Sequence, residues 1–441
     1  MKKSEVGVGL IGLGVVAGQV ARVLLKRSEA LSQQVGCPLV LRRVKVLEAD
    51  LRRPLAREMD NRLFTTSDEE FFNDPGIDIV VEAIGGEEPS FDYLKRALAG
   101  GRQVVTSNKE VIAKHGVALR ALANERGVGL RYEASVGGGI PLISRFQYDL
   151  VANRIKGIYA IINGTTNYIL SRMSREGVDF KLALQKAQEL GYAEANPEND
   201  IEGIDAVYKL AILTTLAFRT TVRPEDIYHE GISRLDSRDF QYARELGFVI
   251  KLLAIARESD ERIEARVHPV FVPEDFLLAK VDGVYNAIMV RGDLVGDVFF
   301  LGEGAGAKPT ASAVVADVLA AARDVLSGAV ATMMPAAVER AIKPMSQIET
   351  RYYIRMVVVD DAGVLAQIAR VLGDNGISIS SVIQKMTDEV ARTAEIVIMT
   401  HPARGDGMQA ALDELGRLVV VREVSNFIRV EDIDSDHLAG V

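Results

Sequence analysis

VGVGLIGLGVVAGQVARVLLKR, residues 6–27, decides the fold. Its first part, VGVGLIGLG, is apolar with glycines at turn spacing, and it reads as a buried parallel strand. Its second part, VAGQVARVLLKR, carries Arg22, Lys26 and Arg27 and reads as a helix. The rival is a secretory leader, because Lys2 and Lys3 precede an uncharged run from Val6 to Ala21. The glycine spacing and the basic residues continuing the helix favour strand and turn. The joint is Gly12-Leu13-Gly14-Val15-Val16-Ala17. In a dinucleotide-binding turn the first glycine makes the bend and the second lets the backbone approach a pyrophosphate. The third position must be small, which Ala17 satisfies. The helix N-terminus then faces the phosphates. Plain βα turns use the same residues, but this one lies at the first βα turn of an alternating region.

That region runs to about residue 135. The runs LVLRRVKVL, IDIVVEAIG, RQVVTSN and GVGLRYEA alternate with helical patterns, which implies βαβ units and a parallel sheet of Rossmann type over 1–135. From 136 to 302 helices mix with strand-like runs such as RIKGIYAIING and GVYNAIMVRG, so an α+β domain is expected. ASAVVADVLAAARDVL, 311–326, is one long helix rich enough in Ala and Val to pack on a sheet. The segment 303–330 is therefore expected to return to the first domain and complete it. A connector containing Pro and Met follows over 331–350. The tail, 351–431, reads strand YYIRMVVVD, helix VLAQIARVLGDNG, strands ISISSVIQKM and EVARTAEIVIMT, helix MQAALDELGRL and strand VVVREVSNFIRV. This is the βαββαβ order of a ferredoxin-like module.

At 441 residues the chain exceeds a single core, so two or three domains are expected. Apolar residues make up 48% and charged residues 26%, ordinary for a globular protein. The net charge of -9 argues against nucleic acid or an anionic membrane as partner. No stretch is apolar enough to span a bilayer. Cys37 is the only cysteine, which excludes an intrachain disulfide framework and a Cys-rich zinc site, and fits a reducing cytoplasm.

Three further stretches carry candidate chemistry. After the second strand, VKVLEADLRRP offers Glu48 and Asp50 for the ribose hydroxyls of NAD, or Arg52 and Arg53 for the phosphate of NADP. TSNKEVIA, 106–113, follows a strand and opens a helix, where open α/β sheets place ligands; Lys109 lies in it. GYAEANPENDIEGIDAVYKL, 191–210, packs Glu194, Glu198, Asp200, Glu202 and Asp205 ahead of Lys209. In GIDAVYKLAILTTLAF, 203–218, Asp205 and Lys209 are the only charges, four residues apart on a helix apolar nearly all round. Buried charges need partners. The pair is either a structural ion pair or a lysine held for proton transfer; burial lowers a lysine's pKa and a carboxylate raises it. A second glycine-rich turn, GEGAGAKPTASA, 302–313, ends a strand and starts the returning helix, and serves either as a ligand contact or as a hinge.

The stretch 191–210 closely resembles the signature of homoserine dehydrogenases. GLGVVAG, SNKEVIA, YEASVGGGIP, INGTTNYIL and GEGAGAKPTASAVVAD follow in that family's order, over about residues 5–345. The tail resembles an ACT domain, a small ligand-sensing module. The resemblance implies reversible, NAD(P)-dependent oxidation of L-homoserine to L-aspartate 4-semialdehyde, with 136–302 as the substrate-binding and dimerisation domain. It implies that Lys209 is the acid/base on the substrate oxygen, oriented by Asp205, and that Lys109 is a second lysine at the reacting centre. Glu194, with Asp200 nearby, would grip the substrate amino group. Gly12, Gly14, Val15, Val16, Ala17, Gly86, Thr106, Ser107, Lys109, Glu303 and Gly304 would hold the cofactor. Sodium or another monovalent cation would sit on Glu133 and the carbonyls of Val136, Gly138 and Ile140, an all-oxygen set suited to a hard ion. Ala49 stands where NADP-preferring relatives often carry arginine, which points to NAD. The usual turn proline of the ACT layout is Ala362. The resemblance further implies a homodimer or homotetramer and an amino-acid effector such as L-threonine. Two other activities fit less well. An aspartate-semialdehyde dehydrogenase needs a thiol nucleophile, and Cys37 lies in no such context. A non-catalytic amino-acid sensor on a dehydrogenase scaffold would not need the Glu194, Asp205 and Lys209 set.

Overall fold

The computed structural model describes residues 3–328, 339–388 and 390–433. Two compact units divide the chain. The first comprises Met1–Lys156, Tyr208–Pro224 and Val290–Glu339; the second comprises Gly157–Val207, Glu225–Met289 and Arg340–Val441. These divisions fall elsewhere than the pattern changes at 135 and 302. Much of the helix Ile204–Ala217, and the chain over 290–328, pack with the first unit.

The first unit is built on six parallel strands. Their order is Phe64–Thr65, Leu39–Lys45, Val6–Ile11, Ile79–Glu82, Gln103–Thr106, Leu130–Arg131. This is a doubly wound dinucleotide-binding order, and the strand order reverses between Val6–Ile11 and Ile79–Glu82. Every residue of Val6–Ile11 is buried, which is why the strand shows no polar alternation. Helix Val15–Lys26 buries Ala17, Val20, Ala21 and Leu24 on the sheet, a stripe at helical spacing. The helix expected over 311–326 spans Ala307–Ser327. Its Ala311, Val314, Val318 and Ala322 join Val8, Leu10, Ala17 and Ala21 in one core, so the returning segment completes this unit.

The second unit follows a sheet whose path runs Ile155–Ile161, Phe248–Ser259, Arg262–Pro273, Val421–Val430, Glu349–Val359, Thr393–Thr400, Ile379–Asp388. The last four strands, antiparallel to one another, form the ferredoxin-like module with helices Val364–Asp374 and Gly405–Leu415. Strand Glu349–Val359 shows how side-chain alternation builds it. Tyr352, Ile354, Met356 and Val358 enter the core with Ile368, Leu372, Met408 and Leu415. Tyr353 and Arg355 lie on the other face and reach helix Ser237–Glu245.

The sequence does not reveal that this module shares a sheet with the rest of its unit. Val270 pairs with Arg429 and Phe271 with Val430 in parallel register. Two buried ionic clusters hold the junction. Asp239, fully buried, accepts from Arg355 Nε at 2.7 Å, Tyr353 Oη at 3.1 Å and Asn426 Nδ2 at 2.7 Å. Glu395 accepts from Arg355, Arg238 and the Tyr242 hydroxyl. In the second cluster Arg266 bridges Glu264 and Glu431, and Arg257 joins both carboxylates. Of the expected linker 331–350, residues 331–338 lie outside the described residues. Beyond them Lys343 N donates to Ile263 O at 2.8 Å and Ile263 N to Ala341 O at 3.1 Å, so this stretch lies along the sheet edge. No helix of the described residues is long and apolar enough to cross a membrane.

Removing one partner from a buried charge cluster leaves the other charges without solvent or counter-ion. Asp239→Ala is expected to lower the stability of the second unit by about 3–5 kcal/mol, measured by guanidinium denaturation. A loss below about 1 kcal/mol, the scale of an exposed pair, would show that Glu395 alone satisfies Arg355.

Candidate functional site

Gly12 ends the first strand with φ +101°, and its N–H donates to the Lys45 carbonyl at 2.8 Å. A Cβ here would stand 2.6 Å from the Ile84 Cγ2, so no other residue fits this turn. Ala17 is fully buried against the sheet, as the small third position requires, while Val15 is exposed. Beyond the turn, at the carboxyl ends of the strands, the first unit opens a cleft of 280 Å³. Of the residues expected to hold a cofactor, Val16, Gly86, Ser107, Lys109 and Gly304 line it, and so does Lys209.

Glu82, buried at the end of its strand, organises one side of this cleft. It accepts from the hydroxyl of Thr106, from Ile84 N at 2.8 Å and from Ser90 Oγ at 3.3 Å. Burial pushes the carboxyl up, and these hydrogen bonds oppose it. Thr106 is itself fully buried, so it acts on the cleft through its neighbours. Its Oγ1 accepts from Asn108 N at 3.0 Å. Asn108 caps helix Lys109–Arg126 by accepting from Val111 N at 3.1 Å, and its amide donates to the Gly86 carbonyl at 2.8 Å. The loop after the fourth strand is thereby tied to the helix start that carries Lys109.

On the opposite side the glycine run of YEASVGGGIP meets the glycine-rich turn that begins at 302. Gly137 and Gly138 have φ of +73° and +57°. A Cβ on Gly138 would stand 2.6 Å from the Gly304 carbonyl, and Gly139 N donates to Glu303 O at 3.3 Å. Backbone packs on backbone here, which a hinge would not require. Glu133 is buried, and its Oε1 accepts from Ile143 N and its Oε2 from Ser144 N, both at 2.8 Å. Asp317 lies beside it and accepts from Glu133 N at 2.8 Å. Burial, with the Glu133 charge adding, pushes the Asp317 carboxyl up to about 7. The nearby cation, Arg131, is paired with Asp324 at 2.6 Å. No amide of the described residues donates to the carbonyls of Val136, Gly138 or Ile140. Glu133 and Asp317 thus bring hard oxygen donors together, of the kind a monovalent cation takes.

The acidic stretch lies in the second unit up to Val207. Asn163 caps helix Gly164–Glu176, its Oδ1 accepting from Thr166 N at 2.8 Å. Its amide nitrogen donates to Asp200 Oδ1 at 2.7 Å and to Asp205 Oδ2 at 2.9 Å. One side chain thus gathers two of the predicted residues. Asp205 is buried, and helix Ile204–Ala217 carries it one turn before Lys209, which is also buried. Glu194 makes no hydrogen bond to Asn163, Asp200 or Asp205; it is exposed, and its carbonyl accepts from Gln188 Nε2 at 3.1 Å. Asn163 escaped the residue-level reading. An asparagine at a helix start signals a cap, and nothing local reveals what its second amide hydrogen finds. Cys37 is buried against the Lys3 carbonyl, outside the cleft.

The chain matches the profile of the homoserine dehydrogenase catalytic domain over 141–319 and that of the homoserine dehydrogenase NAD-binding domain over 12–133. A homoserine dehydrogenase of Neisseria gonorrhoeae is 42% identical over 436 residues, 97% of this chain and 99% of that protein. The chain belongs to the homoserine dehydrogenase family. The crystal structure of a homoserine dehydrogenase from Thiobacillus denitrificans superposes with a TM-score of 0.91 at 41% identity, covering 98% of this chain and all of that one. A hyperthermophilic archaeal homoserine dehydrogenase mutant in complex with NADPH aligns at 28% identity with a TM-score of 0.62, over 72% of this chain and 97% of that one. An ACT domain matches 352–420, so the tail of this homoserine dehydrogenase chain is the module that its ferredoxin-like order suggested.

Asn163→Ala removes donors from two carboxylates at once. Hydrogen bonds to charged groups contribute about 1.5–3 kcal/mol each, so kcat/KM for homoserine is expected to fall at least tenfold. Steady-state kinetics on the folded variant check this; an unchanged value would show that Asp200 and Asp205 hold their positions without the amide.

Proposed function

We propose that the chain oxidises L-homoserine reversibly to L-aspartate 4-semialdehyde with Lys209 moving the proton on the substrate oxygen. The observation that carries this reading is the convergence of Lys109 and Lys209, from distant segments, on one cleft with Gly86, Gly138 and Gly304. Asp205, a turn before Lys209, orients it, and Lys109 serves as the second cation at the reacting oxygen. Glu194, with Asp200, takes the substrate ammonium. The turn at Gly12 and Gly14, the helix that follows and the Gly86 loop hold the cofactor's phosphates and nicotinamide. The bound nicotinamide supplies the hydride chemistry. The chain's own task is alignment and one proton transfer. A monovalent cation on Glu133 and the carbonyls of Val136, Gly138 and Ile140 would fix the glycine turn that meets Gly304. The non-catalytic sensor reading is disfavoured, because a sensor has no need of two lysines in a nucleotide cleft.

We further propose that the ACT module senses an amino acid, L-threonine being the first candidate, and that the chain works as a cytoplasmic homodimer or homotetramer. The turn Asp361-Ala362-Gly363, with Gly363 at φ +86°, offers backbone groups for such a ligand.

Lys209→Ala is expected to lower kcat by about 10²–10⁴-fold at every pH while cofactor binding, read by fluorescence titration, persists. A drop of less than about tenfold would remove Lys209 from the proton path. NAD is expected to be at least as efficient as NADP. Asp50 holds Arg53 at 2.7 Å, so this arginine is engaged by a carboxylate, and Ala49 offers no cation in place of the arginine of NADP-preferring relatives. The ratio of kcat/KM for the two cofactors decides; tenfold in favour of NADP would show Arg52 or Arg53 recruited to the phosphate.

A further inference from the structure

Beside the cleft of the first unit a single cation joins three segments of chain. Lys114 lies in helix Lys109–Arg126. Its Nζ donates to Glu110 Oε1 at 2.7 Å, four residues back on the same helix face. It also donates to Glu87 Oε2 at 2.6 Å, on the loop after the fourth strand. The same ammonium stands 5.7 Å from the centroid of the Tyr208 ring, within the range of a cation–π contact. His115 Nε2 is 2.6 Å from the other Glu87 oxygen, and its ring stacks on Phe91 at 4.2 Å. Burial pushes the Tyr208 hydroxyl up, and the charge of Glu110 adds to this. Hydrogen bonds from Lys114 and His115 hold the Glu87 carboxyl below its usual range. All of these residues belong to the first unit.

Each group on Lys114 is next in sequence to a group that the proposed reaction uses. Glu110 follows Lys109, Glu87 follows Gly86, and Tyr208 precedes Lys209. Gly86, Lys109, Glu110 and Lys209 all line the cleft. Successive residues of a helix project about 100° apart. Fixing where Glu110 and Tyr208 point therefore fixes the rotation of both helices, and with it the directions of Lys109 and Lys209. The side chains of Lys114 and Glu87 are 31% and 37% exposed, so their ion pair adds little to stability. Its contribution is geometric. Without the ammonium, Glu87 and Glu110 remain as two like charges on the loop and the helix start, and the Tyr208 ring loses its cation.

We propose that Lys114 is a positioning residue for the reaction: it ties Glu110, Glu87 and the Tyr208 ring together and so sets Lys109 and Lys209 where one substrate oxygen can meet both. The proposal rests on the reading of Lys209 as the proton carrier. Steady-state oxidation of homoserine by the full chain tests it, with Lys209→Ala measured beside each variant. Lys114→Met keeps the aliphatic stem and removes the charge. It lowers kcat by about tenfold or more, as a small misplacement of reacting groups does, while the denaturation midpoint stays near that of the wild type. Lys114→Arg, which supplies a cation to both carboxylates and to the ring, restores most of kcat. Tyr208→Leu lowers kcat as Lys114→Met does, and the double variant is no slower than the slower single one, because residues acting through one contact are not additive. An unchanged kcat in Lys114→Met overturns the proposal. So does a double variant whose loss is the product of the two single losses, or a loss of kcat that follows a loss of stability and is not restored by arginine. If Lys114→Met does not fold, Tyr208→Leu decides, and a wild-type kcat there overturns the tie. A wild-type kcat in Lys209→Ala overturns the proton-carrier reading and this proposal together; loss in Lys209→Ala with full kcat in Lys114→Met removes Lys114 alone.

Discussion

A carboxylate removed from water must be given donors in place of the hydration it loses. Much of this molecule is arranged around that requirement. Glu82, Glu133, Asp205, Asp239, Glu264, Glu395 and Glu431 are all buried. Glu82 shapes one side of the cleft through Thr106, and Glu133 takes the amides that precede Arg145–Asp149. Asp205 shares an asparagine with Asp200. The remaining four lock the ACT module to its neighbouring strand and helix. Each group fixes elements distant in sequence, because local backbone cannot supply enough donors to a buried charge.

Steric exclusion does the complementary work in the first unit. At Gly12 a side chain would strike Ile84, and at Gly138 it would strike the Gly304 backbone. These contacts keep the cleft walls as main chain, whose amides and carbonyls can face phosphates or a cation without a side chain intervening. The same cleft contains Lys109 and Lys209, so the surfaces that would hold the cofactor and the groups that would move the proton are one construction.

The ACT module is not a pendant domain. Its first strand uses one face for its own core and the other for Asp239 on helix Ser237–Glu245, and its last strand extends the sheet through Phe271 and Val430. A load on the module is therefore carried by backbone pairing and buried ion pairs. Both transmit displacement better than an exposed linker, since slippage would strand charges out of water.

The sequence by itself determined the doubly wound first domain, the returning helix and the βαββαβ tail, because hydrophobic periodicity and glycine placement are local consequences of backbone geometry. It also marked Asp205 and Lys209, two charges on a helix with no other, and the glycine-rich turns at 12–17 and 302–313. Only the tertiary structure decided what those features meet. It placed Gly138 on Gly304, put Asn163 between two carboxylates, joined residues 270–271 to 429–430, and set Ser233 on Glu202. Each is a pairing across a long stretch of chain in which either partner alone is an ordinary cap, turn or strand residue. Such pairings follow from where buried polar groups find donors, and that depends on how the whole chain closes its cores.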